Sequence, residues 1–189
     1  MRWLSYRIFR TLGWEIEGEL PGLPKYVIIG APHTSNWDFF LFLAAMYAFD
    51  VRMSFLGKAS LFRWPFGFMF EKVGGIPVDR SRAGGIVRQV KAAFDRSEHM
   101  VLVIAPEGTR RAAPAWKSGF VEIAARAEVP VVFAGVDGEN KRLVISKPYF
   151  VGEDKTVFMD EVRAFFSDKP GIKPRFKGPV RLHSEIQVS

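Results

Sequence analysis

Tyr26-Val27-Ile28-Ile29-Gly30-Ala31-Pro32-His33-Thr34-Ser35-Asn36-Trp37-Asp38 is the stretch from which the fold can be read. Residues 26–30 are apolar, β-branched in the middle and bounded by Pro24 and Pro32, the pattern of a buried strand. Phe39 to Phe49 is apolar almost throughout and too long for an average strand, which predicts a helix beginning near Ser35. His33 then sits in the turn between a core strand and a core helix. Open α/β sheets bind ligands in the crevice at the carboxyl ends of their strands.

On one continuous helix, side chains five residues apart diverge by roughly 140° and cannot pair. With His33 just ahead of the helix and Asp38 in its first turn, the chain can fold back. A carboxylate can then hold one ring nitrogen and leave the other free as a base. Another reading stays open: Ser35 and Asp38 have the spacing of a capping box, and His33 can be a turn histidine bonded to backbone.

The rest of the chain alternates in the same manner. A strand is expected at Val51–Leu56, another over Gly74–Arg80, a helix over Gly85–Ser97 and a strand at Val101–Ala105. A helix over Ala115–Glu128, strands at Val129–Ala134 and around Leu143–Ile145, and a helix at Thr156–Phe166 follow. Glu15–Leu20 reads as a short strand. Residues 60–70 combine Phe62, Trp64, Phe66, Phe68 and Phe70 with Pro65 and Gly67, so their conformation stays open between an acyl-chain slot, a membrane contact and plain core. The pattern predicts a single-domain α/β sandwich, a mostly parallel mixed sheet flanked by helices.

Three units divide the 189 residues. Residues 1–14 form a basic amphipathic helix, with Met1, Leu4, Ile8, Phe9 and Leu12 on one arc and Arg2, Arg7 and Arg10 opposite, suited to a membrane surface or to packing on the domain. Residues 15–168 form the domain. Residues 169–189 begin as a basic stretch rich in Pro and Gly, a loop or a mobile flap.

Composition narrows the chemistry. Hydrophobic residues make up 48% and charged residues 25%, a globular balance. With no cysteine, thiolate catalysis and disulfides are excluded. The three histidines, His33, His99 and His183, have no metal-ligand spacing, so no metal is expected. The net charge of +7 suits an anionic membrane or acidic small molecules, and no nucleic-acid motif accompanies it. No apolar run is long enough to span a bilayer, and no signal peptide is apparent; a cytoplasmic protein is expected.

Three charged motifs follow three strands: His33/Asp38, Asp79/Arg80 and Glu107/Arg110. In order, His33-Thr34-Ser35-Asn36-Trp37-Asp38, Gly75-Ile76-Pro77-Val78-Asp79-Arg80, Pro106-Glu107-Gly108-Thr109-Arg110 and Val129-Pro130-Val131-Val132 resemble the four blocks of the glycerolipid acyltransferases, such as the lysophosphatidic acid acyltransferases. Lys58 and Lys117 also stand where similar family residues fall. Pro77-Val78, Ala105, Arg111 and Phe133 depart from the usual pattern, at positions expected to touch the acceptor.

The resemblance implies a glycerol-phosphate acyltransferase-like fold and acyl transfer from acyl-CoA or acyl carrier protein to a lysophospholipid-like hydroxyl, without a cofactor. Lysophosphatidic acid is the leading acceptor. His33 would be the general base and Asp38 its orienting partner. Arg80 and Arg110 would hold an acceptor phosphate, with Glu107, Gly108, Thr109, Lys58 and Lys117 completing substrate binding. Taken singly, Arg80 also fits a surface salt bridge, and Glu107 and Arg110 a loop ion pair. The partners implied are a lysolipid, an acyl thioester, an anionic membrane surface on its inner face and an acyl carrier protein. A membrane-docked lipid-binding protein without turnover and an acyl thioesterase are the alternatives.

Overall fold

A computed structural model describes residues 7, 9–64, 67–78 and 85–186, with only the backbone for Lys58 and Leu61. The first half of the fold runs β1 (Glu15–Glu17), β2 (Lys25–Ala31), α1 (Trp37–Phe49), β3 (Met53–Lys58), a 3-10 turn (Ala59–Phe62), α2 (Gly67–Lys72), β4 (Gly75–Val78) and α3 (Gly85–Arg96). The second half runs β5 (Met100–Ile104), α4 (Gly119–Ala127), β6 (Val131–Asp137), β7 (Arg142–Ile145), α5 (Lys155–Phe166), a 3-10 turn (Pro174–Phe176) and α6 (His183–Ile186). The strands form one seven-stranded sheet in the order β1-β7-β6-β2-β5-β3-β4. Among the described strands only the β6–β7 pairing is antiparallel. This is the α/β sandwich expected from the alternating pattern.

β2 lies in the middle, with β6 on one side and β5 on the other. Its side chains alternate between two cores. Val27 and Ile29 join Leu102, Val131 and Phe133 under α3, α4 and α5, which contribute Phe94, Phe120, Phe158 and Phe166. Tyr26 and Ile28 join Met53 and Val132 under α1, which contributes Ala45 and Ala48. A strand buried on both faces is apolar throughout, as β2 is from Tyr26 to Ala31. Each large side chain removed from water adds roughly 1.5–3 kcal/mol of stabilisation.

Several boundaries moved for local reasons. Asp50 takes a left-handed conformation after α1, and the Val51 N–H bonds back to Met46 O, so β3 begins at Met53 rather than Val51. Ala115 and Trp116 are not helical: Trp116 bridges to Leu182 in parallel, and α4 starts at Gly119. Of residues 60–70, Pro65 and Phe66 lie outside the described residues; the others include the 3-10 turn and the start of α2, and the Phe62 ring fills the space above Gly57 and Gly75, where a Cβ would lie 2.6 and 2.8 Å from it. Pro77 is accommodated because β4 is an edge strand.

Of the N-terminal unit, residues 9–11 are helical. Phe9, on the apolar arc read from the sequence, is 2% exposed and packs with Tyr26 and Ile28, so at this residue the arc packs on the domain. Met1, Arg2, Leu4 and Ile8 lie outside the described residues. The tail is strapped onto the domain: Gly171 bridges to Asp137, and the Lys173 N–H donates to Thr34 Oγ1 at 3.0 Å. Lys177 Nζ donates to the Phe166 and Ser167 carbonyls at the end of α5.

Candidate active site

Because β2 and β5 are parallel neighbours, the turns after them emerge side by side. The first carries His33 and the second carries Glu107. At the end of β2 the chain leaves the sheet through Pro32 and turns into α1. Asp38, in the first turn of α1, folds back over this turn.

Asp38 Oδ2 lies 2.9 Å from His33 Nδ1 and also accepts from the Ser35 N–H at 2.8 Å. Ser35 Oγ accepts from the Trp37 N–H at 3.2 Å. The capping arrangement and the His–Asp pair were alternatives in the sequence; one carboxylate oxygen makes both. Holding Nδ1–H against a carboxylate leaves the lone pair on Nε2. The His33 side chain is 27% exposed, and that of Asp38 only 8%. No described residue bonds Nε2 of His33.

Glu107 reaches across from the β5 turn. Its Oε1 accepts from the main-chain N–H of His33 at 2.9 Å. Glu107 is buried, and burial pushes its carboxyl above the usual glutamate range despite the His33 hydrogen bond. Its Oε2, like Asp38 Oδ1, has no hydrogen-bond partner among the described residues.

The remainder of the β5 turn faces the same crevice. Gly108 has φ +66°, and a Cβ there would lie 2.8 Å from Lys117 Cε. The Lys117 N–H donates to Pro106 O at 2.9 Å, so Lys117 lies over the turn with its side chain against Gly108. Thr109 Oγ1 accepts from the Arg111 N–H at 3.3 Å. Arg110, exposed to solvent, donates through Nη1 to Asn36 Oδ1 and ties the β5 turn to the start of α1.

His33, Asp38, Glu107, Gly108, Thr109, Arg110 and Lys117 are thus brought to one edge of the sheet. Lys58 closes β3 at the same edge, opposite Val78 of β4. Arg80 lies outside the described residues. Phe133, expected against the acceptor, lies in the core instead. It stacks on Tyr149 with ring centroids 4.6 Å apart and is fully buried. The sequence reading gave no site role to Asn36 or to the Gly171–Lys173 strap, which it took as part of a loop or mobile flap; the pairing of Asn36 with a residue far along the chain has no local signal.

The model of the acyltransferase family matches residues 17–136, which include every residue of this crevice named above. The chain belongs to the acyltransferase family. Its fold is similar to that of the 1-acyl-sn-glycerophosphate (LPA) acyltransferase PlsC from Thermotoga maritima, with TM-score 0.59 and 20% sequence identity. That likeness covers 85% of this chain and 74% of the other. No curated protein matches the chain. This acyltransferase has no described helix long and apolar enough to cross a membrane.

Proposed function

We propose that this acyltransferase moves a fatty acyl group from a thioester, acyl-CoA or acyl carrier protein, to the hydroxyl of a lysophospholipid, with lysophosphatidic acid the leading acceptor. One observation carries the reading: a half-buried histidine whose Nδ1 is fixed by a buried carboxylate, which leaves Nε2 free to act as a base. Lipid binding without turnover requires no such base.

In this mechanism His33 Nε2 takes the proton of the acceptor hydroxyl as its oxygen attacks the thioester carbonyl carbon. Asp38 stabilises the imidazolium that forms. The tetrahedral intermediate collapses, the carbon–sulfur bond breaks, and the proton on Nε2 passes to the departing thiolate. No acyl-enzyme is needed. Arg110, oriented by Asn36, offers a guanidinium fork to the acceptor phosphate, and Arg80 is proposed to join it. Lys117 supplies further positive charge at the same edge, and Lys58 is proposed to join it. Gly108 lets substrate approach the backbone closely.

The test measures release of donor thiol with and without lysophosphatidic acid, and the lipid formed. Thiol release that depends on the acceptor, with one phosphatidic acid made per thiol, is the expected result. Equal release without acceptor identifies a thioesterase, and no release in either case identifies a binding protein.

A further inference from the structure

α1 is apolar on every side. Thr, Ser, Lys and Glu, which normally clothe the outer face of a surface helix, are absent from it, and its one charged residue, Asp38, turns inward to His33. A helix apolar all round is normally covered on all sides. Here only Ala45 and Ala48 are fully buried, while Phe40 and Tyr47, seven residues apart on the outward stripe, are each more than half exposed.

The neighbouring elements extend this surface. Phe39 and Phe42 of α1 pack on Phe55 of β3. Gly57 lies two residues beyond Phe55 and so faces the same side of the sheet, and the Phe62 ring covers it. Phe70 of α2 packs on Phe62 at 5.9 Å. The 3-10 turn and α2 therefore lie on the same face of the sheet as α1, and their outer surface presents Trp64 at 93% and Phe68 at 72% exposure. Contiguous exposed apolar surface of this kind marks an interaction site.

Its rim is basic. Arg63 adjoins Trp64, and Lys173 and Arg175 project from the strap whose Ile172 packs into the same core layer as α1. Arg110 stands at the crevice itself. Asp50 after α1 and Glu71 of α2 are exposed acidic residues of this layer, outnumbered by these cations. Aromatic side chains ringed by Lys and Arg suit the boundary between acyl chains and anionic headgroups, where Trp and Tyr concentrate.

We propose that the outer surface carrying Phe40, Tyr47, Trp64 and Phe68 rests on an anionic phospholipid bilayer and holds the mouth of the His33 crevice at the lipid–water boundary. The choice of a bilayer over a protein partner rests on the acyl-lipid reading above, since that acceptor resides in lipid.

The experiment pairs vesicle binding with acyl transfer in solution. Intact protein is sedimented with phosphatidylglycerol-containing or pure phosphatidylcholine vesicles, at low and high salt, and compared with a Phe40→Ser, Trp64→Ser double variant. The proposal expects binding to the anionic vesicles that weakens with salt and falls about tenfold or more in the variant. Acyl transfer to a short-chain lysophosphatidic acid below its micelle concentration should be unchanged in the variant. Vesicles with brominated acyl chains should quench the intact protein, and Trp64→Phe should lose much of that quenching. Equal vesicle binding by the double variant, or quenching indifferent to Trp64→Phe, overturns the proposal. So does an intact protein that ignores vesicles, whether monomer or dimer by light scattering. Vesicle binding without transfer to the soluble acceptor supports the docking surface and overturns the acyltransfer reading instead.

Discussion

Glu107 Oε1 accepts a hydrogen bond from the main-chain N–H of His33 at 2.9 Å, joining two turns 74 residues apart in sequence. The bond fixes the peptide from which the imidazole hangs, while Asp38 fixes the ring. Glu107→Ala would leave a partly buried N–H unbonded, a loss of about 1–3 kcal/mol. Glu107→Gln keeps an oxygen that can accept the same bond. Steady-state kinetics should show kcat falling in Glu107→Ala, with KM for the acceptor changed less, and most of kcat restored in Glu107→Gln. If Glu107→Gln and Glu107→Ala raise the acceptor KM equally, the carboxylate instead holds the acceptor.

The same burial gives a pH dependence of stability. Glu107 titrates above the usual glutamate range in the folded chain. The folded state therefore holds this proton more tightly than the unfolded state. The contribution is fully present below the unfolded pKa and is lost as pH rises through the folded value. Urea midpoints should fall between mildly acidic pH and neutrality in the native protein, and this component should be missing in Glu107→Gln. An identical pH profile in the two proteins would mean that burial does not raise the Glu107 carboxyl above its unfolded value.

Arg110 reaches the crevice from a solvent-exposed turn, steered by Asn36. A charged hydrogen bond to phosphate is worth roughly 1.5–3 kcal/mol. Arg110→Ala should raise KM for a phosphorylated acceptor about tenfold or more, and KM for the acyl donor much less. Asn36→Ala should have the same selectivity with a smaller effect, because it only orients the guanidinium. Arg80→Ala should behave as Arg110→Ala does. Equal changes for donor and acceptor would make these arginines structural.

The strap over the His33 turn depends on Gly171. Its φ is +75°, and a Cβ there would lie 2.9 Å from Thr34 Oγ1. Gly171→Ala should cost about 1–2 kcal/mol for the left-handed backbone alone. It should also weaken the Lys173–Thr34 bond next to His33. Thermal unfolding and kcat should both fall; a variant with unaltered melting temperature would show that the strap does not bear on the turn.

Much of the fold was legible because it is local. The β2–turn–α1 passage shows in the run Tyr26–Gly30, in Pro32 and in the long apolar stretch after Trp37. α3 shows through Val90 and Phe94 at helical spacing, and both are buried. What was not legible depends on distant partners. No local pattern announces that Phe62 fills the space over Gly57 and Gly75, the contact that seats the 3-10 turn on the sheet. Uniform hydrophobicity in α1 hid which of its sides faces the sheet. The positions of His33, Asp38, Glu107 and Arg110 at one sheet edge follow from strands read correctly, but their bonds do not. The bond of Glu107 to the His33 N–H has no signal in the sequence; Phe133 was assigned to the acceptor and packs among Tyr149, Phe158 and Phe166.

The measurement that tests the central claim most directly is the rate of acyl transfer to lysophosphatidic acid by His33→Ala, with circular dichroism and melting temperature as fold controls. Removal of a general base predicts a fall of at least ~10²-fold with the fold retained. Asp38→Asn should also lower the rate, through the tautomer and charge of His33. Near-normal turnover by a folded His33→Ala protein would contradict the account.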